Sequence, residues 1–325
     1  MDGFRIPVGT WVDAGVDWLR DNLSGLFDVI AVVVRFLVGG LSDVLLAAPI
    51  VVVIVVAALL AWLIRSWKLA LGTLVGFTLI LAMGQWVTAM QTLALVVVAA
   101  AVAVAISVPL GIWSARNPAV RAVMKPVLDF MQTMPAFVYL IPAITFFSIG
   151  VVPGVVATVI FALPPGVRLT ELGIRGVDAE TVEAGHAFGA TPGQILRGIQ
   201  LPLAMPTIMA GVNQVIMLAL SMAVVAGMVG ADGLGKEVVQ SISTVNLPKG
   251  VEAGLSVVIL AVYLDRLTAA LGTRAANTSS LLAALARRRG PGTPAADVPG
   301  EAADAAGEAD RQVASPRRAP ITTGV

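Results

Sequence analysis

Glu183-Ala-Gly-His-Ala-Phe-Gly-Ala-Thr-Pro-Gly-Gln-Ile-Leu-Arg-Gly-Ile-Gln-Leu-Pro202 is a polar island between long apolar runs, and the reading of the whole chain turns on it. Its spacing predicts two short helices meeting at a sharp corner. Asp178 is placed to N-cap the first, Val177 and Val182 to staple it, and Gly189 to supply the positive-φ residue that stops it. Thr191 caps the second, Pro192 takes its first position, Gln194 completes a capping box, and Pro202 closes the segment.

The runs around this island fix the solvent. The chain is 58% hydrophobic and 13% charged, with a mean hydropathy of +0.91, far from the ordinary soluble balance. Its apolar runs, about 20 residues each, are long enough to cross a hydrocarbon core as helices. An all-α integral membrane protein follows, with the lipid bilayer as its first partner. The absence of cysteine excludes disulfides and cysteine metal sites. The net charge of +1 gathers into no basic face, so nucleic acid is not expected as a partner.

Seven spans are expected, near 47–64, 68–85, 88–113, 131–149, 151–168, 204–230 and 252–271. Residues 1–23 are a polar, aspartate-rich head without the pattern of a signal peptide. Asp28, Arg35 and Asp43 interrupt the next apolar run at roughly helical spacing, which favours an interfacial amphipathic helix over a span. The chain therefore divides into an extracytoplasmic segment 1–46, a transmembrane domain 47–272 whose polar loop covers about 170–203, and a tail 273–325. That tail is rich in Ala, Gly, Pro and charge, and is expected to be disordered and cytoplasmic.

Lysine and arginine set the orientation. Arg65 and Lys68, then Arg116, Arg121 and Lys125, then Arg168, Arg175 and Arg197, and finally Arg266, Arg274 and Arg287 to Arg289 share one side. The loops at 85–88 and 150–153 carry no base, and Lys236 and Lys249 are offset by Asp232 and Glu237. By the positive-inside rule the capped double helix and the C-terminus are cytoplasmic and the N-terminus is outside. Trp62, Trp67, Trp86 and Trp113 fall at span ends, the headgroup level that such rings prefer.

Several local features have sharper and blander readings. Gly230-Ala-Asp-Gly-Leu-Gly-Lys236 has P-loop glycine and lysine spacing, but Glu237 stands where a Ser or Thr would hold Mg²⁺, and the stretch falls on the outer side. His186, the single histidine, has no ligand partner at metal spacing and reads as a cytoplasmic surface or contact residue. The Gly72 and Gly76 pair offers a helix-packing face. Pro135, Pro142, Pro153, Pro164 and Pro165 free carbonyls that need partners inside protein or a cavity, which marks their helices as kinked and interior. Gln132, Thr133, Asn213, Gln214 and Ser221 place polar groups within spans. Together with Pro135 and Tyr139 they point to a translocation path or a dimer interface. The spans hold no buried carboxylate pair suited to ion coupling, so energy is expected from a partner; the competing class is an ion-coupled secondary transporter of small zwitterions.

The spacing E-A-A-x3-G-x9-I-x-L-P resembles the cytoplasmic loop of ABC importer permeases, met here by Glu183, Ala184, Gly189, Ile199, Leu201 and Pro202, with Gly185 at the second alanine. The runs from Met131 to Pro142, Ile160 to Thr170 and Leu201 to Gln214 resemble the permease subunit of glycine betaine/proline ABC importers, over about residues 24–272. The resemblance implies a type I importer fold, a second permease copy, cytoplasmic ABC ATPase subunits and an extracytoplasmic solute-binding protein. It gives Glu183, Ala184, Gly185, Gly189, Ala190, Ile199, Leu201 and Pro202 the role of ATPase coupling, and implies no catalytic residue, metal or cofactor. Asp232 departs from the family's glycine. Glycine betaine, proline, choline, carnitine and histidine all remain open as solutes.

Overall fold

The computed structural model describes residues 7–272; the expected tail 273–325 lies outside them. Every regular element among these residues is helical. A long helix α1 (Val8–Ala47) is followed by two short apolar helices, α2 (Ile50–Ile64) and α3 (Trp67–Ala82), then by α4 (Trp86–Arg116) and α5 (Pro118–Thr133). After a 3₁₀ turn at Ala136–Tyr139 come α6 (Leu140–Phe147), α7 (Val151–Arg175), α8 (Ala179–Ala187) and α9 (Pro192–Ile195). A π turn at Leu196–Gln200 leads into α10 (Leu201–Ala226), a 3₁₀ turn at Gly227–Val229, α11 (Leu234–Ser243) and α12 (Leu247–Gly272). By length and composition five helices can cross a membrane, or six if the bent α5 to α6 pair counts as one. At 15 and 16 residues, α2 and α3 reach about 22–24 Å, short of a core of about 30 Å.

α4, α7 and α10 form the centre, and small residues let them approach. A Cβ on Gly111 of α4 would sit 2.7 Å from the carbonyl oxygen of Val167, and one on Gly166 of α7 would sit 2.8 Å from Cβ of Ser107. In lipid, where apolar side chains gain little by leaving the solvent, such close van der Waals contact is what holds helices together. Phe77, Ile80, Met90, Leu95, Val155 and Val215 fill the surrounding core. Gly76, of the expected packing pair, does face α12, at Ile259; Gly72 meets nothing.

Three expectations change, and the N-terminal helix proves longer than its apolar run. The fourth span is not one helix: α5 and the segment Ala136–Phe147 meet at 109°. Pro135 cannot donate to the Met131 carbonyl and pushes Met134 out of the α region, to ψ 132°. The Tyr139 hydroxyl donates to that freed carbonyl. At the N-terminal end, residues 8–47 form two helical stretches that run on across a kink at Leu23 (φ −118°, ψ 19°), together long and apolar enough to cross a membrane. The second stretch buries Ala31, Val34 and Val38 and leaves Asp28, Arg35 and Asp43 exposed. Trp86 is 6% exposed, its ring edge-on to Phe77 at 6.3 Å, so it is a core residue and not an interfacial one. Finally, Pro202 opens α10 and closes nothing, because the second capped helix continues through the π turn into it.

The P-loop-like glycines serve packing. Gly230 and Gly233 have φ of 84° and 125°, and the Leu234 amide donates to the Thr92 hydroxyl at 2.8 Å. The unusual Asp232 pairs with Lys236 at 2.8 Å, and that hydrogen-bonded carboxylate holds the lysine above its ordinary range.

Candidate functional site

The polar island folds as its caps dictate. Asp178 accepts from the Glu180 amide at 3.1 Å and starts α8. At the other end Gly189 takes φ +78°. Its amide donates to His186 O at 2.9 Å and the Ala190 amide donates to Gly185 O at 3.1 Å, the paired bonds of a Schellman stop. Thr191 and Gln194 then close a reciprocal capping box around the start of α9, with Thr191 N donating to Gln194 Oε1 at 2.8 Å. Both ends of the corner are thus satisfied by local bonds, which fix the backbone where the two helices meet.

The eight residues assigned to coupling divide into two groups. Gly185, Ile199 and Leu201 face inward. Gly185 is buried, and a Cβ there would lie 2.8 Å from Ile199 Cδ1, so the glycine lets α8 rest on the π turn. Leu201 joins Ile174, Leu196, Ala204 and Ile208 in a cluster that roots the loop on the ends of α7 and α10. Glu183, Ala184, Gly189 and Pro202 are exposed, with Ala190 half-buried at the corner. Phe188, absent from the sequence expectation, is 92% exposed. Its position in the last turn before the stop glycine was the available signal.

The π turn has a local cause. Pro202 and Pro206 have no amide to offer Gly198 and Pro202, and the helix widens just before them, the Leu201 amide donating five residues back to Leu196. It joins α9 to α10 in one run from Pro192 to Val229.

A charge tie between α5 and α7 sits just above the loop. Glu171 accepts from buried Ser114 at 2.7 Å and pairs with Arg121 at 2.8 Å, while Arg168 pairs with Asp129. Helical spacing of Arg121 and Asp129 on one segment and of Arg168 and Glu171 on the other was the sequence signal for it.

The residues assigned to a translocation path do not all meet. Asn213 turns toward α12, donating to Asp265 Oδ1 at 3.0 Å and accepting from Thr268 at 2.5 Å. Gln214 and Ser221 lie seven residues apart on an exposed stripe of α10 with Met217, whose carbonyl accepts from Ser221 at 3.1 Å. Thr133 and Pro135 are exposed at the bend, and Tyr139 is buried edge-on to Phe161 at 5.9 Å.

These features match known proteins. Residues 107–277 fit the family described as the binding-protein-dependent transport system inner membrane component. The chain is 50% identical over 264 residues to the glycine betaine transport system permease protein OpuAB of Bacillus subtilis, covering 81% of this chain and 94% of that protein. It is 49% identical over 267 residues to the glycine betaine/proline betaine transport system permease protein ProW of Escherichia coli, covering 82% and 75%. It is 48% identical over 274 residues to the glycine betaine/carnitine transport permease protein GbuB of Listeria monocytogenes, covering 83% and 97%. Among solved structures, a chain of the MetNI methionine ABC transporter in an inward-facing conformation superposes with a TM-score of 0.50 at 25% identity, covering 56% of this chain and 90% of that one. The chain therefore belongs to the binding-protein-dependent transport system inner membrane components, multi-pass membrane permeases with the type I ABC importer fold.

Proposed function

We propose that this chain is the membrane path of an ATP-driven importer for glycine betaine and related compatible solutes. It works as two copies, is fed by an extracytoplasmic solute-binding protein, and is driven by cytoplasmic ATPase subunits. The observation that carries the reading is the locally bonded α8–α9 corner, whose second arm continues into α10. A partner that grips α8 and moves on binding ATP displaces α10 with it, and α10 carries the exposed Gln214 and Ser221 stripe. Permeases named for glycine betaine, proline betaine and carnitine support the substrate class. Asp265 of α12 is engaged by Asn213 at 3.0 Å and lies 3.8 Å from Arg266, so this carboxylate is already partnered, which argues against its serving the ion coupling that the secondary-transporter reading needs.

In vesicles, the chain reconstituted with its ATPase and binding protein should accumulate labelled glycine betaine only with ATP. Uptake should continue when proton and sodium gradients are collapsed, and the chain by itself should be silent. Gradient-driven uptake by the chain alone would overturn the proposal.

The same reading places α8 inside the cell and the start of α7 outside. A cysteine at Ala187 should be shielded from an impermeant thiol reagent in intact cells, and one at Val151 should label. Thr10 reports on α1: labelling there places the helix along the outer interface, as the charges predict, and shielding makes it a span with its start inside. Labelling at Ala187 would reverse the orientation.

A further inference from the structure

Beside α9 lies an open cleft of about 780 Å³, walled by Arg116 from the last turn of α4 and by Thr191, Gln194, Leu196 and Arg197 from α9 and the π turn. Both arginines are exposed. Among the described residues neither has a carboxylate partner, and no acid lines the cleft. The neighbouring charge tie makes the contrast, since Arg121 and Arg168 are both paired there. Two unpaired guanidinium groups facing one concavity form a site for carboxylates, which they meet in planar, two-pronged hydrogen bonds. On the same double helix Phe188 presents almost its whole ring to water. His186 and Glu183 of the same short helix are exposed as well, so the segment that carries Phe188 is polar and not a lipid-facing stretch.

Resting on the coupling role proposed above, we propose that the ATPase contact has two parts. Phe188 seats in an apolar socket of the ATPase, and the Arg116–Arg197 cleft takes acidic side chains from the rim of that socket. The contact therefore extends beyond the loop to the cytoplasmic end of α4, which packs directly on α7 and α10. The cleft walls come mainly from the loop itself, and this continuity favours a protein occupant over a lipid headgroup. An aromatic anchor ringed by charge is the arrangement that concentrates binding energy in protein interfaces, the anchor setting the dissociation rate and the charges setting association and its salt dependence.

The test coexpresses the tagged full-length chain with the ATPase subunit from its own genome, identified by mass and by hydrolysis of ATP. The ATPase retained on the purified chain is then measured against salt. The wild type should retain it at low salt and lose it progressively as salt rises. Arg116→Glu with Arg197→Glu should weaken retention about tenfold or more at low salt and flatten the salt dependence. Phe188→Ala should weaken it by a similar factor at every salt concentration, and Phe188→Trp should restore it. All three positions are exposed, and gel filtration of each variant reports folding separately. Retention and salt dependence unchanged in the arginine variants would overturn the cleft assignment. So would a loss seen only when anionic lipid is withdrawn, because the occupant is then a headgroup. A wild-type chain that retains no ATPase under any condition removes the coupling reading itself.

Discussion

If the α8–α9 corner couples to an ATPase as proposed, Gly189→Val should leave the chain inserted in the membrane and abolish most ATP-driven uptake by the reconstituted assembly. No atom lies within 4 Å of a Cβ built there, so the effect is not one of space. It comes from the backbone: at φ +78° a β-branched residue is strained by roughly 1–2 kcal/mol or more. Relieving that strain breaks the Schellman pair from Gly189 to His186 and from Ala190 to Gly185. The angle between α8 and α9 is then no longer fixed. At about 1.4 kcal/mol per factor of ten, the population holding the docking geometry falls about tenfold or more. Gly189→Asn should behave nearly as wild type, because Asn tolerates the left-handed region. Glu183→Lys should act differently, sparing the fold because the side chain is exposed, and weakening ATPase retention by reversing a charge at the contact. Gly185→Ala, which restores the family's usual residue, meets only the flexible tip of Ile199 and should be mild. Retained ATPase and labelled betaine uptake read all four; full retention and normal transport in both Gly189→Val and Glu183→Lys would remove this segment from the coupling path.

Local chemistry was legible in the chain, and pairings across distance were not. The caps at Asp178, Gly189 and Thr191 depend on neighbours a few residues away, and the structure places each as its spacing implies. Pro202 misled because proline opens helices as readily as it follows them; only the unbroken run into α10 decides which. The bend at Pro135 was implicit in a proline that frees a carbonyl, yet the group that answers that carbonyl, Tyr139, had no local mark. Asn213 was recognisable as a polar residue needing company, but its partner Asp265 is 52 residues away on another helix. Exposure was the least legible property. Ile199 and Leu201 match the family pattern and face inward, whereas Phe188 matches no quoted position and faces water.

The same limit explains the glycine-rich stretch Gly230–Lys236, and there a pair of variants separates phosphate binding from packing. Gly235→Ala should be severe. A Cβ at Gly235 would lie 2.4 Å from Ala223 O and 2.8 Å from Val224 Cα, and one on Gly227 would lie 2.3 Å from the Gly235 carbonyl carbon. These are backbone atoms of α10 and α11, and none can swing aside as a side-chain tip can. Overpacking of this kind costs about 1–3 kcal/mol. It would lever α11 away from α10 and α12, with a fall in melting temperature on the order of 5 °C. Lys236→Ala should be nearly silent, because the lysine is exposed and its pairing with Asp232 is a surface contact worth little. A loop that cradles phosphates would show the opposite balance, with the lysine indispensable to nucleotide binding. Melting of the detergent-purified variants, followed by size-exclusion fluorescence and paired with photolabelling by an azido-ATP analogue, separates the two cases. A stable Gly235→Ala protein, or labelling of the isolated chain that disappears in Lys236→Ala, would defeat the packing account.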